Sequence, residues 1–380
     1  MRPLRLVAAA LMLGACASEA EEASVRELLV LPDHFEVPAI PDYNPLTDEK
    51  ITLGRRLFYD TELSANGTQS CASCHEQDKA FADGLAAPMG STGDRLVRNS
   101  QGLANVAYHS TLTWASDGLI TLEDQIQIPL LNDNPVELGI TDGVRDEVLA
   151  RFDADPMYQE LFRAAFPESQ SGATINKIAF ALAHFCRSLI SGDTPYDRYV
   201  NGDRTALTEE QQLGLRLFNG ERFECHHCHT GVNLSTAYRD ARVGLEEVRA
   251  PFFNNGLYNV DGRGAYPAHD QGLYDLTFDP GDQGHFRPQS LRNVALTAPY
   301  MHDGSLETLR EVVEHYAAGG RNVETGPFVG DGRLSPLKSG LVRGFIATDE
   351  EIDAVVAFLE SLTDEAFLRN PAHADPFATP

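Results

Sequence analysis

Cys71-Ala72-Ser73-Cys74-His75 and Cys225-His226-His227-Cys228-His229 are the two stretches that decide how this chain is read. Each is a C-x-x-C-H unit, the attachment motif of c-type haem: the two thiols can form thioethers with the porphyrin vinyls, and the adjacent imidazole is held where it can ligate the iron. A zinc site needs four thiolate or imidazole ligands converging on one ion, whereas each unit here is a complete haem anchor by itself. The two units therefore predict two covalent haems c, with His75 and His229 as iron ligands. Of the six cysteines, four lie in these units. Cys186 falls on an apolar helical stripe and reads as a buried free thiol, and Cys16 belongs to the leader.

Working outward from the motifs, an internal repeat appears. Leu46-Thr47-Asp48-Glu49 leading to Leu53-Gly54-Arg55-Arg56-Leu57-Phe58 before the first unit recurs as Leu207-Thr208-Glu209-Glu210 leading to Leu213-Gly214-Leu215-Arg216-Leu217-Phe218 before the second. Each copy opens with a threonine and acidic residues, a helix N-terminus signal, and continues with apolar residues on one face. A helix feeding into C-x-x-C-H begins a cytochrome c-like domain, so the repeat points to a duplication. Further helices are predicted from Thr174 to Ile190, after the capping box at Thr348-Asp349-Glu350-Glu351, and from Leu306 to Ala318, ending at Gly319-Gly320. Long Gly-, Pro- and Asn-rich stretches such as 254–288 carry little periodicity and read as irregular loops able to wrap a cofactor.

The ends and the charge bound the setting. Arg2 and Arg5 precede an apolar run, Leu6 to Leu13, and Leu13-Gly14-Ala15-Cys16 resembles a lipobox. Residues 1–15 are thus expected to be a lipoprotein-type signal peptide, with lipid attached at Cys16, a tether over 16–40, and a periplasmic location; an ordinary cleaved signal is the alternative. The run is too short to span a bilayer, so any membrane contact is through that lipid. The 380 residues carry 56 acidic against 30 basic side chains, a formal charge of -26. Such a surface repels nucleic acid and anionic lipid; it either attracts a basic partner or serves only solubility.

At this point the sequence resembles the bacterial dihaem cytochrome c peroxidases, within them the MauG/MbnH-like branch. The resemblance runs from about Asn44 to Thr363 and rests on LGRRLFYD with SCASCH, then RNS, LEDQ with NPVELG, ISGDTPYDRY, CHHCH, GLYNVDGRGAY and LRNVALTAPYMHDGSLETLREVVEHY. It implies an all-α fold of two tandem cytochrome c-like domains. The first, residues 41–203, carries a peroxide-binding haem; the second, 204–368, carries an electron-transfer haem and is followed by a tail, 369–380.

Peroxidases of the family have a distal histidine in the loop after the first motif, but here no histidine occurs between His75 and His109. The resemblance thus implies an open sixth position on the first iron, with Met89 as a rival ligand. Fourteen residues beyond His302, where the peroxidases place methionine and the MauG-like branch tyrosine, this chain has Tyr316, which implies a phenolate ligand to the second iron. Gln125, Pro129 and Glu137 match distal-pocket residues, Glu137 being the implied acid-base group. Trp114, the single tryptophan, matches the residue placed between the haems; Asn99 with the carbonyls of Thr297 and Pro299 matches a calcium site.

The activity implied is use of hydrogen peroxide to reach a two-electron-oxidised, bis-ferryl-like state that oxidises a side chain, expected to be tryptophan, of a partner protein by long-range electron transfer. A conventional peroxidase taking electrons from a small redox protein, and a non-catalytic electron carrier, are the alternatives. Tyr316 weighs against the first and the missing distal histidine against the second.

Overall fold

A computed structural model describes residues 20–245 and 251–378. The expected signal peptide and Cys16 lie outside the described residues.

Each half is organised by a pair of crossing helices. Helix α1 (Asp48–Tyr59) starts where Thr47 accepts a hydrogen bond from Lys50 N, has Asp48 and Glu49 in its first turn, and buries Leu53, Leu57 and Phe58. It packs on α2 (Ile175–Ser188), capped by Thr174 and burying Ile178, Leu182 and Phe185. In the second half, α3 (Glu209–Phe218) opens with a Thr208/Gln211 capping box and packs on α5 (Asp349–Glu360), which opens with a Thr348/Glu351 box.

Both crossings need a glycine. A Cβ on Gly54 would lie 2.0 Å from the Ala181 carbonyl oxygen, and one on Gly214 would lie 1.8 Å from that of Ala354. Neither contact is sterically possible, so the two backbones touch only because these positions lack side chains. Helix α4 (Leu309–Ala318) lies against α5. It begins three residues later than expected from Leu306, because the capping box is built by Thr308 and Glu311, while Leu306 pairs with Tyr300 in an isolated bridge. Gly319, at φ 74°, ends it.

The first core gathers Leu53, Leu57, Phe58, Ile178, Leu182 and Phe185; the second gathers Phe218, Phe223, Val313, Val355, Phe358 and Leu362. Outside the helices, loops dominate. A two-residue antiparallel ladder, Asn322–Val323 with Gly330–Asp331, is the only sheet among the described residues.

Both ends of the described residues are packed, so residues 20–40 and 369–378 differ from the free tether and tail read from sequence. Residues 20–29 are helical, with Val25 and Leu29 buried beside Ile51 and Ile190, and Phe35 and Val37 are buried further on. The polar run to Ser24 hid an apolar stripe that starts at Val25. At the other end Phe367 joins the first core, Tyr59 Oη donates to His373 O at 2.7 Å, and Arg55 Nε donates to Ala374 O at 2.7 Å. The described residues thus finish on the half where they start. Two bidentate ion pairs tie the halves together: a buried one, Arg292 on Asp197 at 2.7 and 2.8 Å, and a half-buried one, Arg98 on Asp270 at 2.7 and 2.9 Å. No helix among the described residues is long and apolar enough to cross a membrane.

Candidate active site

Each C-x-x-C-H unit is a short 3-10 turn opening onto its own cavity. In the first, His75 Nδ1 is 2.7 Å from Phe81 O, which fixes the ring and leaves Nε2 for a metal. Burial lowers the His75 pKa, keeping the imidazole in the neutral, ligating form.

Cys71, Cys74, Gln125, Pro129, Glu137, Met89 and Trp114 line that cavity with His75. Gln125 is placed by a short helix, Leu122–Gln125, whose Glu123 is clamped to α2 by Arg187 through two 2.7 Å bonds and accepts a third bond from Asn44. Glu137 is wedged between two segments. Ser91 N donates to its carbonyl at 2.8 Å, and Leu138 N donates to Pro129 O at 3.0 Å. The crossing is close enough that a Cβ on Gly90 would sit 1.7 Å from Val136 O. Burial, with no opposing charge, pushes the Glu137 carboxyl up to about 7. Cys186, a buried free thiol, also borders this cavity. So do His109 and two exposed residues, Met89 and His269.

In the second cavity His229 Nδ1 is shared between Leu234 O at 3.2 Å and Gln289 O at 3.1 Å, again leaving Nε2 available. Cys225, Cys228, His229 and Tyr316 line it together. Tyr316 is on the last turns of α4, and burial raises the pKa of its phenol, so in the protein alone the hydroxyl stays protonated. Asn255, which carries no signal in the spacing, organises this side. Its Nδ2 is 3.3 Å from Met301 Sδ, its carbonyl accepts from His315 Nε2 at 3.0 Å, and its side chain lies by Tyr316, where it favours the ionised phenol against the effect of burial. Phe218, Phe223, Val313, Phe345 and Leu359 supply an apolar part of its wall, and Glu224 and Arg292 also line it.

Trp114, Asn99, His109 and Arg287 border both cavities. Trp114 Nε1 donates to Asn99 O at 2.8 Å, and Trp114 O accepts from Arg287 N at 2.8 Å. Thr297 and Pro299 line the second cavity beside Asn99, whose Nδ2 donates to Leu85 O and leaves its oxygen as the atom able to ligate.

Arg287 is a second residue that sequence reading missed. It is buried, bonds only neutral oxygens (Thr113 O, Gln101 Oε1 and Gln289 Oε1), has an unpartnered Nη1, and its pKa is pushed down to about 9 by burial. A guanidinium held this way lacks an anionic counterpart. Paired thiols, an imidazole with a free nitrogen, apolar walls and an uncompensated cation fit an iron macrocycle bearing carboxylates, in both cavities.

A family profile described as di-haem cytochrome c peroxidase matches residues 48–205. Cytochrome-c peroxidase IdrP1 of Denitromonas iodatirespirans is 34% identical over 96% of this chain and 93% of its own length. The chain belongs to the di-haem cytochrome c peroxidase family and is a haem-dependent peroxidase-type oxidoreductase; the family implies two haems. Within that class it is similar to the methylamine utilization protein MauG of Methylorubrum extorquens, 32% identical over 92% of this chain and 89% of that one. The crystal structure of a MauG-like protein associated with microbial copper homeostasis superposes with a TM-score of 0.89 at 48% identity, covering 92% of this chain and 99% of that chain.

Proposed function

We propose that this protein uses hydrogen peroxide at its N-terminal haem site to oxidise a side chain, tryptophan by resemblance to the MauG/MbnH-like branch, on a partner protein. The observation that carries this is the asymmetry of the cavities: His75 shares its cavity with Gln125, Pro129 and a neutral-leaning Glu137, whereas His229 shares its own with Tyr316. Cys71 and Cys74, and Cys225 and Cys228, are the attachment thiols. Haem held by these residues would supply the redox centres and the site of peroxide uptake.

The chain's own residues do the rest. The Glu137 carboxylate takes the proton from the near peroxide oxygen and hands it to the leaving one, a transfer that a carboxyl with a pKa close to neutrality performs in both directions. Gln125 orients the substrate through its amide, and the Pro129 ring excludes water. Tyr316 would hold the second iron through its phenol oxygen, a hard donor that would favour the oxidised metal. Trp114, bordering both cavities, carries electrons between them, and its hydrogen bond to Asn99 ties it to a calcium site made by Asn99, Thr297 and Pro299. Electrons leave the partner at the surface, so no small-molecule pocket is required. Export to the periplasm, with a lipid at Cys16, completes the reading.

A conventional cytochrome-c peroxidase is the second reading. It is favoured by Met301, a thioether lining the second cavity. Electron paramagnetic resonance of the ferric protein decides between them. One high-spin and one low-spin haem, giving a long-lived two-electron-oxidised state with peroxide, supports the partner-oxidising reading. Two low-spin haems, or fast turnover with a reduced cytochrome, sinks it.

A further inference from the structure

Away from both cavities, Glu221, His226 and His227 each aim one ligand atom into a common space, all within 4.8 Å of one another. The backbone builds the cluster. After α3 ends at Phe218, Glu224 N donates to Gly220 O at 2.9 Å and His227 N donates to Glu224 O at 3.3 Å, bringing Glu221 beside the turn that carries both imidazoles. The two rings lie 4.2 Å apart between centroids, inclined by 33°.

Nothing else among the described residues uses these groups. Neighbouring Arg222 pairs with Glu351 rather than Glu221, and His226 Nδ1 is buried with no partner. Haem attachment does not explain them either, because the first unit has Ala72 and Ser73 at the corresponding positions. A pair of adjacent imidazoles beside a carboxylate, unneeded by the fold and by the anchor, is a ligand set.

We propose that Glu221, His226 and His227 form a surface site for one divalent transition-metal ion, Cu2+ above the others. Imidazole nitrogens with a carboxylate oxygen are borderline donors, and such sites rank Cu2+ highest among first-row divalent ions. Metal-ligand bonds of about 2.0–2.2 Å put ligand atoms about 3 Å apart. The exposed Glu221 and His227 side chains close the remaining gap by rotation, and water completes the shell. An ion there stands on the segment between Cys225 and Cys228, adding a positive charge to the attachment turn of the C-terminal haem alone.

The test is titration of untagged holoprotein, both haems attached, with Cu2+ alone, followed by equilibrium dialysis and by the copper resonance signal. The expected result is one saturable ion with nitrogen hyperfine structure. His226→Ala combined with His227→Ser, which makes the second unit read like the first, should abolish it. Glu221→Gln, outside the attachment motif and independent of haem maturation, should weaken binding at least about tenfold, since even loss of an outer-shell partner costs roughly 10–100-fold. No saturable copper in the parent protein, or binding of unchanged strength in both variants, overturns the proposal.

Discussion

The two halves of this molecule share their scaffold and differ in what faces the metal. Both cross a capped N-terminal helix over a second helix through a glycine, Gly54 on Ala181 and Gly214 on Ala354. Both follow it with C-x-x-C-H, and both fix the histidine ring through Nδ1 to a backbone carbonyl. Opposite the histidines the likeness stops. The first cavity brings an uncharged-leaning acid and an amide, with Met89 and His109 also on its wall; the second brings a phenol, with the Met301 thioether. On the function proposed above, a duplicated frame with divergent loops would separate the place where peroxide is activated from the place where oxidising equivalents leave.

The comparison breaks first at Glu137. Glu137→Gln keeps the shape and removes the proton shuttle, so the second-order rate of reaction with peroxide should fall by about 10²–10⁴, the range of general acid-base catalysis. The low-spin signal of the other haem should not move. A stopped-flow rate within a few-fold of the parent would deny Glu137 its role. Tyr316→Met exchanges a hard donor for a soft one. The C-terminal haem potential should rise by on the order of hundreds of millivolts, within the range axial ligands command, and the peroxide-generated state should shorten, while the N-terminal haem keeps its spectrum. Potentiometry showing no shift would mean that Tyr316 only packs.

How much of this was legible depended on whether the signal was local. Capping threonines, the apolar stripe of α2 and the C-x-x-C-H anchors are patterns within a few residues, and the helices appear where those patterns start and stop. Arg287 and Asn255 were invisible because their meaning lies in partners far along the chain: Gln101 and Thr113 for the arginine, Met301 and Tyr316 for the asparagine. The packed ends were missed for the same reason. Val25 buries itself only because Ile51 and Ile190 are brought to it, and Phe367 returns to a core built from residues between Leu53 and Leu189. The resemblance to relatives pointed to Tyr316 and Glu137; their burial and partners came only from the fold.

A smaller effect follows from acidity. With the Glu137 pKa raised to about 7, the base form is scarce below neutrality and dominant above it. The rate with peroxide should therefore climb about tenfold per pH unit below 7 and level off above, as expected for a single essential base. In Glu137→Gln this limb should vanish. If the limb persists there, another group titrates and the acid of the first cavity is not the base.

The mildest change tests the shared scaffold rather than the divergent sites. Gly54→Ala and Gly214→Ala each force a methyl into a carbonyl oxygen at 2.0 and 1.8 Å, so the helix pairs must separate. Overpacking of this kind costs about 1–3 kcal/mol, partly offset by the roughly 1 kcal/mol that alanine gains over glycine within a helix. Both variants should melt a few degrees lower than the parent, by similar amounts, with both haems attached. A large drop for one and none for the other would show that the two crossings are not mechanically equivalent, and that the duplication has diverged in its frame as well as in its sites.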